Sequence, residues 1–429
     1  MRNKAVFQLA DGQYKDIKNR MLNWVSQFSI LLLLDNNDYS STYNSYEYLV
    51  AVGAEEIIGN ENEDPLISLQ KLSDKRDWLF GHICYDFKNL LETKLSSRHA
   101  GKIGFPLVCF FCPQIVCYID NCKSSLIIES LYLSPRDIYN DILNTANTVN
   151  DNLPKINFHH KIKQPQYLET ISRLRQHIKD GDCYEINYCG EGFCENVYIE
   201  PIIAYDKLNS ISPAPFAAYY RLEDKYMMCA SPERYLKKAK NNILTQPIKG
   251  TARRDENEIK DKEMREALHK DIKERAENVM IVDLMRNDLA RFCEVGSVHV
   301  DELFGIYSFP QVHQMISTVS GALKRNIPFT DTFRYSFPMG SMTGAPKVKV
   351  MQLIDKYEQS ARELFSGTVG YITPQGDFDF NVIIRSLFYN STTSYLSYQT
   401  GGAITYDSDP EKEWEEMRLK AWALERIFS

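Results

Sequence analysis

Long hydrophobic runs are missing from this chain. The dense apolar stretch at 30–34, LLLL preceded by Ile30, is far shorter than the roughly 20 residues a bilayer span needs. The opening residues, MRNKAVFQLADG, turn polar after their first cations and leave no secretory h-region. A surplus of cations is missing too: Lys+Arg number 50 against Asp+Glu 57, a formal charge of −7. That balance speaks against a phosphate backbone as the main partner, because nucleic-acid binding rests on clustered Lys and Arg. Neither G-x-G-x-x-G nor G-x-x-x-x-G-K-[ST] occurs, so the usual nucleotide-binding loops lose their support. A cytoplasmic enzyme acting on a small molecule, with no nucleic acid and no membrane as partner, is the expectation that remains.

What is present fits a packed globule. Of 429 residues, 44% are hydrophobic, 12% aromatic and 25% charged, a composition that supplies a large core. At roughly 100–200 residues per domain, the length suggests two or three domains. Ten cysteines in a chain this long read as reduced thiols and not as a disulfide framework. Cys109, Cys112, Cys117 and Cys122 are spaced like metal ligands, but the string "LVCFFCPQIVCYIDNC" has the β-branched and aromatic neighbours of strands, where cysteine serves as a small hydrophobe.

The segment "DNLPKINFHHKIKQPQ" at 151–166, polar and with two prolines, is the best boundary candidate, dividing 1–164 from 165–429. A Ser/Tyr/Asn stretch at 40–48 reads as a surface loop. In "QYLETISRLRQHIKDGD", Leu168, Ile171, Leu174 and Ile178 recur at helical spacing up to Gly181. Further helices are expected over about 256–292, 346–358 and 409–427, between strand-like runs at 216–230, 242–248, 297–306, 366–372, 378–388 and 393–399. Strands interrupted by long helices without regular βαβ alternation predict an α+β protein with mostly antiparallel sheets packed with helices.

Two helical segments carry the same device. Glu274 and Glu277 stand three apart, as do Glu413 and Glu416, so each pair shares a helix face. Four carboxylates from two helices would suit Mg²⁺, a hard cation that takes a few carboxylates and keeps waters; a solvated helix face is the ordinary alternative. Lys249 follows a strand-like run and precedes a glycine. It becomes a nucleophile or base if burial or a neighbouring cation lowers its pKa, and is otherwise a solvated turn lysine. The small residues of "GSMTGAPK" precede a helix, whose first N–H groups suit anions. "TGGAI" at 400–404 offers a tight turn that a ligand can approach closely.

In order along the chain, "GDCYEIN", "ISPAPFAAYYRL", "SPERYL", "PIKGTARR", "ERAENVMIVDLMRNDLAR", "GSMTGAPK", "FNVIIRSL" and "TGGAITYDSDPEKEWEEMRLKA" resemble the chorismate-utilising enzyme family over about 165–429. The resemblance implies an anthranilate synthase component I-like fold and chorismate as substrate. It points to the branch that aminates chorismate at C4, because lysine in the third position of "PIKGT" marks that branch where the C2-aminating enzymes carry alanine. It implies Lys249 as a nucleophile at C2 and Glu233 as general acid for the departing C4 hydroxyl. Mg²⁺ is implied between the two glutamate helices, with Glu277 and Glu416 as direct ligands and Glu274 and Glu413 binding directly or through water. Arg385 and Tyr371 resemble residues that hold the enolpyruvyl carboxylate, and Lys420 one near the ring carboxylate; Thr343, Gly401 and Gly402 complete the implied pocket. No cysteine–histidine glutaminase domain is evident, so ammonia is expected from a glutamine amidotransferase subunit. The alternatives are amination at C2, as in anthranilate synthase component I, and a non-catalytic chorismate- or tryptophan-binding regulator.

Two departures from the family pattern stand out. Gln314 occupies a position where histidine is common, and His313, one residue earlier, should point to the opposite face of its strand. Ala403 stands where a third glycine is common. The N-terminal 164 residues resemble the family more faintly, through "LLLLD" and "GHICYDFKNLLE", and are expected to complete the fold. In relatives this part forms a tryptophan pocket with the segment corresponding to "SPAPFAAYY"; here Ser212 stands where asparagine is frequent.

Overall fold

The computed structural model describes residues 2–40, 42–59, 63–147, 152–309 and 312–429. Period-two alternation builds its layers. In the strand Ile30–Asp35, Leu32 points into one core while Leu31 and Leu33 point into another, as a pleated strand buried on both faces requires. The described strands form a 12-stranded and a 10-stranded sheet. Leu32, Ala218 and Tyr220 of the first meet Phe80, Leu236 and Phe380 of the second in a shared core. The other face of the larger sheet is covered by helices, among them Gln13–Trp24, Pro201–Ile211 and Pro410–Arg426.

In both sheets a block of strands from before the 164/165 boundary adjoins a block from after it. Ile30–Asp35 pairs antiparallel with Phe216–Leu222, with Leu33 opposite Tyr219. Leu79–Ile83 pairs antiparallel with Thr368–Ile372, with Gly81 opposite Gly370. The expected α+β architecture with antiparallel sheets is therefore what the chain forms, with the N-terminal strands built into the same layers as the C-terminal ones.

Helix Gln164–Lys179 ends just before Gly181, whose φ is 80°, as its spacing predicts. The region expected as one helix over 256–292 is two, Glu258–Lys270 and Ile272–Ala290. Asp271 breaks it: its backbone is extended and its carboxylate accepts the Glu274 N–H at 2.9 Å, an N-cap that starts a second helix. Among the described residues no helix is long and apolar enough to cross a membrane. All ten cysteines are free; Cys109, Cys112 and Cys117 are buried in or beside strands and Cys122 is exposed, so they do not form a cluster. The 40–48 stretch, apart from Ser41, which lies outside the described residues, is no mere surface loop, since Asn44, Ser45 and Tyr46 form the wall of a cavity.

One buried ion pair braces the strand Glu185–Cys194 from beneath. Arg362 grips Glu358 through Nε at 2.9 Å and Nη2 at 2.6 Å, and donates to the carbonyls of Met342 (2.7 Å) and Asn187 (2.9 Å). Glu358 in turn accepts the Cys189 N–H at 2.9 Å. Removing one partner of such a pair strands the other charge without solvent, so Arg362→Met is expected to destabilise the protein by about 3–5 kcal/mol, read from urea denaturation midpoints.

Candidate active site

The site lies where the ends of the two sheets meet. Strand Lys225–Ser231 finishes at Ser231, Pro232 interrupts the ladder, and Glu233 follows with its N–H donating to Ser231 Oγ at 3.2 Å. The Glu233 carboxyl is buried, and burial pushes its pKa up to about 7 against the opposing pull of the Ser341 hydroxyl, Lys249, the Ile248 N–H and Arg385. A carboxylic acid that keeps its proton near neutral pH can donate it to a leaving group. Glu233 and Arg234 point in opposite directions: Arg234 reaches Asp379, at 2.9 Å from Nε, and Gln246.

Lys249 sits on an irregularity of the strand Ile248–Arg253, where the register with Val312–Ala322 shifts between Ile248 and Thr251. Gly250 follows at φ 93°, a conformation that glycine adopts without strain. Burial disfavours the ammonium, but an ion pair with Glu185 and the charges of Glu277 and Glu233 outweigh it and hold the Lys249 pKa above its ordinary value. The lowered pKa expected of a nucleophilic lysine is thus absent in the ligand-free site, because a carboxylate occupies the place of the neighbouring cation. Arg385 joins from the loop after Phe378–Asn381 with φ 51°. Its carbonyl accepts the Ala230 N–H at 3.1 Å. Burial pulls its pKa down, and Glu233 and Tyr39 facing it pull the other way.

The paired glutamates face each other across this pocket. A Cβ added at Gly250 would lie 3.1 Å from Glu274 Oε2, and one at Gly402 would lie 3.3 Å from Glu413 Oε2 and 3.6 Å from Glu416 Oε1. Burial pushes Glu277 up to about 7 and raises Glu274 and Glu413, and neighbouring acids add to each shift. Glu416 is held low by Lys420, 2.7 Å away, which also donates to the Gly401 carbonyl at 2.9 Å. Lys273 feels all four acids. Glu277 Oε1 is buried without a hydrogen-bond partner, Lys273 Nζ standing 3.7 Å away. Among the described residues no three acidic, His or Cys side chains are drawn together as a closed cage. Four carboxylates that repel one another, one with an orphaned oxygen, nevertheless fit the donor chemistry of a hard divalent cation.

The remaining expected residues divide. Gly401 backs onto the neighbouring strand so closely that a Cβ would meet the Tyr188 carbonyl at 2.1 Å, so only glycine fits. Thr343 is fully buried and its hydroxyl is spent on the Met339 (3.1 Å) and Gly340 (3.4 Å) carbonyls; it shapes the turn. Tyr371 does not join the site. Its ring packs edge-on to Tyr46 and tilted against Trp78 and Phe80 at 5.6–6.2 Å, and lines a separate cavity with Asn44, Ser45, Phe216 and Arg234. That cavity includes Pro215, Phe216 and Ala217 of "SPAPFAAYY"; Ser212 is buried at the end of helix Pro201–Ile211. His313 bonds Ser308 Oγ (2.8 Å) and Asp261 Oδ1 (3.1 Å), whereas Gln314 Oε1 is buried and unpartnered. Glu185 was not singled out from sequence, and Ser341 was read only among the small residues of "GSMTGAPK". Glu185 stands in a strand-like run, and nothing local in the sequence names the cation that its burial demands.

The model of the chorismate binding enzyme family matches residues 33–426. The chain belongs to that family. Among curated relatives, this family member is 36% identical over 365 residues to the chloroplastic aminodeoxychorismate synthase of Arabidopsis thaliana, covering 80% of this chain and 39% of the relative. To aminodeoxychorismate synthase component 1 of Salmonella typhimurium it is 38% identical over 251 residues, 58% of this chain and 55% of the relative. To the aminodeoxychorismate synthase of Streptomyces pristinaespiralis it is 39% identical over 273 residues, 63% and 37%. The chain thus spans between about a third and somewhat over half the length of these relatives. Anthranilate synthase component I from Streptococcus pneumoniae superposes with a TM-score of 0.80 at 24% identity, over 90% of this chain and 94% of its own. The menaquinone-specific isochorismate synthase of Escherichia coli does so at 0.75 and 15%, over 100% and 95%. These two share the fold of this family member.

Proposed function

We propose that this chain aminates chorismate at C4, giving 4-amino-4-deoxychorismate, with ammonia delivered by a glutamine amidotransferase component as in aminodeoxychorismate synthase. The observation that carries this reading is a buried lysine, Lys249, in the same pocket as Glu233, a carboxyl that holds its proton to about pH 7. The names of the curated relatives support it.

Two allylic displacements replace the hydroxyl. The Lys249 amine forms a bond to C2, both conjugated ring double bonds shift by one position, and the C4–O bond breaks as Glu233 gives its proton to the departing hydroxyl, which leaves as water. Ammonia then bonds to C4, both double bonds shift back, and the C2–N bond breaks to release the lysine. Arg385 would pair with the enolpyruvyl carboxylate through its planar fork, and Lys420 would stand near the ring carboxylate. Glu274, Glu277, Glu413 and Glu416 would hold Mg²⁺, whose positive charge would offset that ring carboxylate.

With purified protein, chorismate, Mg²⁺ and an ammonium salt, chromatography with mass detection is expected to show 4-amino-4-deoxychorismate. Anthranilate as the only product, or no conversion by well-folded protein, would sink the proposal.

A further inference from the structure

The amination scheme leaves Glu185 without a role, although its carboxylate is hydrogen-bonded to Lys249 Nζ. Both side chains are buried, Glu185 at 2% exposure and Lys249 at 8%. Both are also seated on rigid backbone. Glu185 pairs with Ala345 in the turn that follows "GSMT", and a Cβ on Gly344 would meet the Glu185 carbonyl at 2.1 Å, so that turn lies directly on it. Lys249 is fixed by the irregular strand and by Gly250. The contact therefore joins two anchored groups, unlike a surface pair of long mobile side chains.

A lysine cannot attack carbon while it is an ammonium, so the proton on Nζ has to go somewhere first. Glu277, Glu274 and Glu416 from the two helices and Glu233 from the corner after Ser231 also act on this charge. Among the described ion pairs within 4.0 Å, however, Lys249 pairs with Glu185. A proton leaving Nζ meets Glu185 before it meets water.

We propose that Glu185 controls the proton on Lys249, holding Nζ as an ammonium in the free enzyme and accepting that proton when the amine is needed. The inference rests on the reading of Lys249 as nucleophile. In the step itself an N–H bond of Nζ breaks and an O–H bond forms on the Glu185 carboxylate. The electron pair left on nitrogen makes the bond to C2, and the proton returns to Nζ when lysine departs. Because the proton stays inside the pair, the reactive and resting forms hold the same number of protons.

The test compares wild type with E185Q, E185A and E185D at saturating Mg²⁺ and again in EDTA. Fluorodinitrobenzene labelling of Lys249, followed by peptide mass spectrometry across pH, reads the amine directly and needs no assumption about the reaction. Without the carboxylate, burial is left to act on the ammonium. The labelling midpoint is expected to fall by at least about one pH unit in E185Q, which is about a tenfold faster labelling at pH 7, and to stay near wild type in E185D. In kcat/KM for C4 amination, E185Q should acquire an ascending limb that wild type lacks, because its lysine must now lose the proton to solvent. A labelling midpoint unmoved in folded E185Q overturns the proposal, as does an E185Q rate profile that superimposes on wild type. E185A supplies the same readout if the glutamine variant does not fold. Labelling that shifts in a protein making no 4-amino product supports control of the Lys249 proton by Glu185 and overturns the C4-amination reading instead.

Discussion

Lys249→Ala is expected to lose C4 amination by about 10⁴-fold or more in kcat, the order seen when a covalent nucleophile is removed. The alanine variant alone leaves an ambiguity, since it also strands the buried Glu185 carboxylate, and an unpaired buried charge destabilises by about 3–5 kcal/mol. Lys249→Arg resolves it. Arginine keeps a cation beside Glu185 yet does not give up its proton, so its turnover should fall as far as in the alanine variant while its denaturation midpoint stays closer to wild type. Product formation from chorismate and ammonium, measured beside urea denaturation for both variants, separates chemistry from folding. Rates unchanged in either folded variant would reduce Lys249 to a structural lysine.

Glu233→Gln is expected to cost about 10²–10⁴-fold in kcat, the usual worth of a positioned general acid. The amide matches the carboxyl in shape and keeps an acceptor for the Ser341 hydroxyl and the Ile248 N–H, so packing should survive. The pH dependence carries the sign of the argument. Burial raises the Glu233 pKa to about 7; the protonated form is the donor, so amination should decline as pH rises through about 7. Residual activity of the glutamine variant should lack that decline. A wild-type profile with no fall above neutrality, or a variant as fast as wild type, would remove Glu233 from the chemistry.

How much of this was legible beforehand depended on the distance over which each residue acts. Glu274 with Glu277, and Glu413 with Glu416, could be placed on shared helix faces from their spacing, because a helix fixes neighbours three apart. The antiparallel α+β layers followed from strand-like runs with no βαβ rhythm. The break at Asp271 was hidden, since charged helix-forming residues continue on both sides of it and the deciding event is a single carboxylate turning to cap Glu274. Glu185 was hidden for another reason: its partner lies 64 residues away, and only the crossing of the two sheets brings them together. Tyr371 shows what resemblance alone leaves out. A motif carries a residue's identity into a new chain but not the direction of its side chain, and here the ring packs against Tyr46 and Trp78.

The seam between early and late strands in both sheets also bears on how the chain is made. The strand Ile30–Asp35 waits for Phe216–Leu222, Leu79–Ile83 waits for Thr368–Ile372, and Glu185–Cys194 waits for Tyr395–Ile404. Such high contact order slows folding, because each pairing must close a long loop before any bond rewards it. On the ribosome the early strands can pair with one another, but the seam strands Ile30–Asp35 and Leu79–Ile83 emerge with one edge open, the condition in which chains recruit chaperones or aggregate. Production of this protein should therefore be limited by assembly after synthesis of the last strands, and lower expression temperature should favour it over stronger transcription.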